Sequence, residues 1–267
     1  MSSIHGVWSC GLLGTSAVAA GAAALGTSPL QHFGLVALAL APASAPVVHG
    51  MIDDREDGAP ASPSGGDRAV RWAAVVPLGV IGFCSFLGEG AMHDWAAVYL
   101  RDRLGTSPGT AALGFTGFAL GMTVSRFVAD DLTTRFGPVA VVRVAGLAAA
   151  GGLAMGLLVA TPAAAIAGFT VLGASLAPVV PTVFSAAGNV DGVSGATSLG
   201  WVVTLSYVGG ILGPALIGFT ARAAGLRLAL GIAALLALVI SALAGRVGAA
   251  RRALPVGAPP VPSEGPW

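Results

Sequence analysis

Eight stretches of mostly apolar residues, each near twenty long, follow one another along this chain: roughly 5–26, 33–50, 73–95, 110–129, 138–160, 163–187, 196–220 and 226–245. A helix needs about 20 apolar residues to cross the hydrocarbon core of a bilayer. The runs are continuous and rich in Ala, Leu and Gly instead of alternating, which argues against the strands of a membrane barrel. Only 9% of the residues are charged, against about a quarter in a soluble domain. That is too few to cover a water-facing surface. The predicted fold is all-α and polytopic, with about eight transmembrane helices. The net charge of +1 offers no general attraction to nucleic acid. Cys10 and Cys84 lie in apolar stretches and read as small core residues, neither a disulfide nor a metal pair. No His/Cys/Glu cluster has metal-ligand spacing, and no cofactor is expected.

The segments between the runs carry loop chemistry. Residues 53–68, DDREDGAPASPSGGDR, are polar and rich in Pro, Gly and Ser, as a linker is. RDRLGTSPG (101–109), ATPA (160–163) and NVDGVSG (189–195) read as short turns. VGAPPVPSEGPW (256–267) is too rich in proline for a helix and is expected to be disordered. Four parts follow: two membrane helices within 1–50, a linker over 51–71, six helices over 72–248 and a tail over 249–267. Residues 1–26 lack a basic leading region and do not read as a signal peptide. Every cationic side chain among the thirteen is Arg. Eight crossings put both termini on one side. If that side is the cytoplasm, nine arginines fall in inner segments and four in outer ones. The positive-inside rule then favours an inner-membrane protein with cytoplasmic termini.

FLGEGAMHDWAAVYL (86–100) holds the most costly residue. Glu89 lies 16 residues past Ala73, about 24 Å along a helix. That is beyond the midplane of a core about 30 Å thick. A carboxylate there costs several kcal/mol unless it faces a cavity, meets a cation or is protonated. His93, four residues on, shares its face; Arg101 and Arg103 are the other cations near in sequence. Glu89 is expected to face a central cavity, where it binds polar groups of a substrate or carries a proton. The alternative is a structural carboxylate bonded to a neighbouring helix. Asp94 joins the candidates from another face. His5 and Trp8 either line the same cavity or are simply packed.

Other residues carry smaller expectations. Trp95 and Tyr99 suit an outer interfacial belt. Gly82, Gly88 and Gly90 predict a weakened helix that can unwind around Glu89. Gly117/Gly121, Gly152/Gly156 and Gly209/Gly213 are each four apart, so each pair offers one small face, for fixed packing or for sliding. Pro178, Pro181 and Pro214 invite kinks. Asn189 and Asp191 are expected to cap a helix. GVSG (192–195) is similar to the motif of rhomboid-type serine proteases, but no histidine follows Ser194 to act as its base. No catalytic residue is assigned, and an enzyme is not expected.

GFALGMTVSRFVADDLTTRFGPVAVVRVAG (117–146) joins two runs through a charged turn. If the helix continues, Arg126 and Asp130 lie one turn apart, as do Asp131 and Arg135. Gly137–Pro138 then ends one helix and starts the next. The stretch resembles the loop motif of the major facilitator superfamily, as it occurs between that fold's eighth and ninth helices. The resemblance implies that Gly121, Arg126, Asp130, Arg135, Gly137 and Arg143 form a cytoplasmic gate. In it a carboxylate bonds a helix N-terminus and a nearby Arg in one state and releases them in the other. Both partners favour a carboxylate. Asp131 stands where a small or basic residue is commoner, which crowds the latch with like charge. A positive-inside anchor with a local ion pair is the alternative.

Three other stretches, EGAMHDWAAVYLRD, VVPTVFSAAG and SRFVADDLTTRFGP, are similar to the MosC/YbjJ-like branch of that superfamily. SSIHGVWSCGLLG (2–14) resembles the start of its fifth helix, and LSYVGGILGPALIGFTARAAGLRLAL (205–230) its eleventh running into its twelfth. Placed so, the runs from 73 to 245 correspond to helices 7–12, and helices 1–4 are missing. A late start, a truncated gene or an eight-helix remnant would each give this. The resemblance implies secondary transport of a small polar or amphiphilic solute by alternating access, with proton coupling as an option. Solute and lipid bilayer are then the partners, with no nucleic acid and the oligomeric state open. The rival is a non-transporting remnant.

Overall fold

The computed structural model describes residues 27–49, 72–190 and 193–251, together with positions 11, 14, 15 and 18. His5, Trp8, the linker, Asp191 and the tail lie outside the described residues. Two units are distinct, one within residues 10–69 and one from residue 70 onward. In the first, α1 (Pro29–His49) opens with a reciprocal exchange. The Ser28 N–H donates to Gln31 Oε1 at 3.0 Å and the Gln31 N–H to Ser28 Oγ at 3.3 Å. This satisfies two N–H groups that a helix start leaves free.

The second unit comprises α2 (Trp72–Val98), a π-helical turn (Tyr99–Arg103), α3 (Pro108–Phe136), α4 (Pro138–Val159), α5 (Pro162–Leu176), α6 (Val179–Ala187), α7 (Gly195–Ala224), α8 (Leu226–Leu243) and α9 (Gly245–Arg251). Taking α5 with α6 and α8 with α9, six helices among the described residues are long and apolar enough to cross a membrane. No strand occurs among the described residues. The protein is an all-α polytopic membrane protein.

The helix starts are written locally. Ser107 Oγ accepts from the Thr110 N–H and Thr161 Oγ1 from the Ala164 N–H, both at 3.3 Å. Pro108 and Pro162 follow at the first helical position, where a missing N–H costs nothing. Two connections need only one residue each. Gly137 turns α3 into α4 at φ 81°, and Gly225 turns α7 into α8 at φ 85°. Open space surrounds the position a Cβ would take at Gly137, so substitution there tests backbone strain alone. Gly137→Ala is expected to cost about 1–3 kcal/mol, read as a lower melting temperature. An unchanged melting temperature would show that the turn relaxes.

Packing follows the glycines. α2 lies chiefly against α7, α3 against α5, and α4 against α5 and α8. A Cβ on Gly209 would strike the Phe83 carbonyl oxygen, and one on Gly213 would sit 3.1 Å from that of Leu87. Gly117 meets the Thr170 hydroxyl, Gly121 the Thr170 carbonyl and Gly156 that of Ala164. Each of the three spaced pairs therefore lies in a helix–helix seam, where small residues let backbones touch. Phe118, Leu153, Phe169 and Leu172 fill the core between the seams.

Two expectations change. α2 does not unwind around Glu89; it is continuous from Trp72 to Val98. Its glycines instead admit neighbours: Ser206 at Gly82, Leu176 at Gly88 and the Gly210 carbonyl at Gly90. The sixth run does break, at Ala177–Pro178, but Pro181 and Pro214 remain inside α6 and α7.

Candidate functional site

On α2, Glu89 Oε1 lies 3.9 Å from His93 Nε2, with the two side chains 22% and 35% exposed. The spacing is one helical turn. The distance exceeds a hydrogen bond and is within ion-pair reach for a charged His93. The His93 ring rests against α3, 4.8 Å from the Phe115 ring and 6.3 Å from that of Phe118.

On α3, Phe118, Met122 and Arg126 are four apart, form one stripe and are all buried, Arg126 to 8% exposure. The Phe118 ring beside His93 and the buried Arg126 guanidinium thus belong to one stripe of α3, two turns apart.

Arg126 is therefore not part of a turn. α3 runs on beyond it to Phe136, so this charge belongs to the span and not to the loop. Nor are Arg101 and Arg103 the cations that answer Glu89. Arg101 Nε donates to Asp102 Oδ1 at 2.7 Å, exposed, in the turn after α2. The signal that would have found Arg126 is the length of the helical pattern, which carries it past the usual end of a span.

The six gate residues serve separate places. Gly121 lies in the α3–α5 seam, and Gly137 makes the turn. Asp130 borders a pocket of about 200 Å³ with Ala129, Thr133, Pro178, Pro181, Thr182 and Ser185, beside the first turn of α6. The Arg135 guanidinium stands 5.3 Å over the Phe136 ring. Arg143 is exposed on α4, facing Gly245 at the start of α9. Arg126 is buried in the bundle, while Asp130 is exposed at the rim of its pocket and Arg135 and Arg143 are exposed elsewhere.

The remaining candidates divide. Asp94 is exposed. Tyr99 is not on an interfacial belt: it is fully buried, its ring 6.1 Å from that of Phe169. The wider π turn carries Tyr99 and Leu100 inward while Arg101 to Arg103 stay exposed. Trp95 leans on Gly218 of α7 and lines a groove of about 630 Å³ that ends at Arg222. Asn189 does not start α7. Its Nδ2 donates to the Ser185 carbonyl at 2.6 Å, closing α6. Ser194 makes no side-chain cap bond, while Ser198 Oγ donates to the Ala187 carbonyl. Among the described residues no three His, Cys, Asp or Glu side chains gather as metal ligands would.

Known proteins align with much of this chain. An uncharacterized transporter of Sinorhizobium fredii is 34% identical over 250 residues, 91% of this chain and 64% of its own length. An uncharacterized MFS-type transporter of Yersinia pestis is 36% identical over 170 residues, 64% of this chain and 44% of its own. The membrane protein MosC of Rhizobium meliloti is 30% identical over 161 residues, 60% of this chain and 40% of its own. The chain spans less than two thirds of the length of each of these relatives. No family model and no solved structure matches it.

Proposed function

We propose that this major-facilitator-like membrane protein, similar to transporters along most of its length, takes part in secondary transport of a small polar or amphiphilic solute by alternating access, with Glu89, His93 and Arg126 on the path. The observation that carries this is the charged set itself. Hydrocarbon penalises ionisable groups, yet Glu89 and His93 stand 3.9 Å apart on α2 and Arg126 is buried on α3. Glu89 and His93 remain partly exposed, so a proton can reach the pair. Phe115 and Phe118 supply an apolar wall beside it, as an amphiphilic solute requires.

The gate reading centres on Asp130. Its pocket lies beside the first turn of α6, whose free N–H groups favour a carboxylate. The break at Pro178 supplies a joint on which such a contact can open and close. With Arg126 moved into the bundle, the arginines number eight on the side of Arg135 and four on the side of Arg101. That balance supports cytoplasmic termini in an inner membrane.

The test is the full chain reconstituted in vesicles under an imposed pH gradient, offered labelled sugars and amphiphiles. Glu89→Gln is expected to lower gradient-driven uptake at least about tenfold, the rate equivalent of about 1.4 kcal/mol, with the helical circular-dichroism signal kept. Unchanged uptake with unchanged pH dependence would take Glu89 off the path.

A further inference from the structure

We infer that the pocket beside Asp130 is a site for one alkali-metal cation, held by the Asp130 carboxylate and the hydroxyl oxygens of Thr133 and Thr182. The pocket, of about 200 Å³, lies between the last turns of α3 and the start of α6. Asp130 and Thr133 line it from α3; Pro178, Pro181, Thr182 and Ser185 line it from the other side. Among the described residues no basic side chain lines it. Asp130 is exposed at its rim, so an ion from water reaches the carboxylate directly.

Donors and acceptors decide what such a pocket takes. The Thr133 hydroxyl donates its hydrogen to the Ala129 carbonyl at 2.8 Å, and the Thr182 hydroxyl donates to that of Pro178 at 2.6 Å. A hydroxyl has one hydrogen, so both oxygens have only lone pairs left to offer. An ionised carboxylate likewise only accepts. Asp130 and Ser185 each have an interaction partner already. A carboxylate provides about four acceptor positions, so Asp130 serves a cation besides that partner. The backbone adds acceptors of the same kind. Pro178 and Pro181 have no N–H to give the carbonyls of Ala174 and Ala177, four residues before each. A broken membrane helix, with carbonyls that have lost their helical donors, thus stands beside a carboxylate and two acceptor hydroxyls. In a bilayer such carbonyls are tolerated where they line a cavity or meet a cation.

Charge and hardness choose the occupant. An all-oxygen wall suits a hard cation, and the imidazole and thiolate ligands that zinc or copper prefer do not line it. Calcium takes about six to eight oxygens, with several carboxylates among them in tight sites. Here a single carboxylate lines the pocket; Asp131 is exposed next to it and does not. One negative charge balances one monovalent cation. The volume exceeds that of a bare ion, so water, at about 30 Å³ a molecule, completes the shell. The nearest arginines on α3 stand aside: Arg126 is buried one turn earlier, and Arg135 lies over the Phe136 ring. A bound cation competes with the first turn of α6 for the Asp130 carboxylate. That consequence rests on the gate reading; the site itself does not.

Binding is read by thermal shift on the purified full chain in detergent, at constant ionic strength. The probes are sodium and potassium chloride, against the chlorides of choline, N-methylglucamine, magnesium and calcium. Sodium or potassium is expected to raise the melting temperature saturably, above the effect of the other salts. Asp130→Asn, which keeps the shape and removes the charge, should raise the half-saturating concentration at least about tenfold. Thr182→Val, which removes one oxygen, should raise it about two- to tenfold, and carries the test alone if Asp130→Asn does not fold. Asp131→Asn, off the pocket wall, should change it less than about threefold. Equal shifts from all the salts, a shift from choline or the divalent ions alone, or alkali shifts untouched by both Asp130→Asn and Thr182→Val overturn the inference. So does a loss in Asp131→Asn as large as that in Asp130→Asn. No solute enters this measurement, so a failure of transport leaves the site standing, and a failure of the site leaves transport standing.

Discussion

Gly173→Val is expected to unfold most of the six-helix unit under conditions where the parent chain is stable. A Cβ at Gly173 would overlap the Phe118 carbonyl oxygen and come within 3.1 Å of the Phe118 ring. The same seam is crowded from the other side, where Gly121 faces the Thr170 carbonyl and lies 3.1 Å from the Ala174 nitrogen. α3 and α5 therefore meet backbone to backbone, and a backbone cannot swing aside as a flexible side chain does. A valine would force the helices apart, at a cost of about 3 kcal/mol or more, with further loss of dispersion contacts along the seam. Gly151 is the control: it is exposed on α4 and a Cβ there meets nothing within 4 Å. Gly151→Val should change stability by no more than about 0.5 kcal/mol. Both are measured as denaturant-induced loss of helix in detergent micelles. If the two variants melt alike, the backbone contact is not what holds α3 on α5. The consequence reaches the site, because Phe118 is both the contact for Gly173 and a neighbour of the His93 ring.

Local spacing made some of this legible from the residues. Glycines four apart mark one face of a helix whatever its partners, and Gly209 and Gly213 of α7 duly pack against α2. Glu89 and His93 are also four apart, so their pairing could be read along one helix. Arg126 and Asp130, also four apart, fall on one face once the helical pattern runs on to Phe136. What buries Arg126 could not be read, because contacts between helices leave no periodic trace in either one. Tyr99 was lost for a different reason. A π turn shifts the face by part of a turn, and nothing in YLRDR distinguishes it from an ordinary helix end. Gly82, Gly88 and Gly90 show the limit of propensity. Alone they weaken a helix; against Ser206, Leu176 and Gly210 they let it pack.

Glu89 and Arg126 are expected to behave as one unit when altered together. Arg126 is buried on the face of α3 that carries Phe118, whose ring lies 6.3 Å from that of His93, one turn from Glu89. Removing one member of a buried charged pair typically costs about 3–5 kcal/mol, because the other charge stays in a poor solvent; replacing both by neutral groups costs far less. Glu89 is 22% exposed, so the lower end of that range applies, and its removal should cost less than that of a fully buried acid. Glu89→Gln and Arg126→Gln are each expected to destabilise the chain by about 3 kcal/mol. The double variant should be more stable than the sum of the two predicts, by about 1–2 kcal/mol. The measurement is denaturant unfolding of all four proteins in the same micelles. Simple additivity would place the two groups too far apart to share a path, and the charged set would then be two unrelated residues. A coupling of this size would instead explain why an apolar chain keeps both charges. Each would then lower the cost of the other in an apolar bundle.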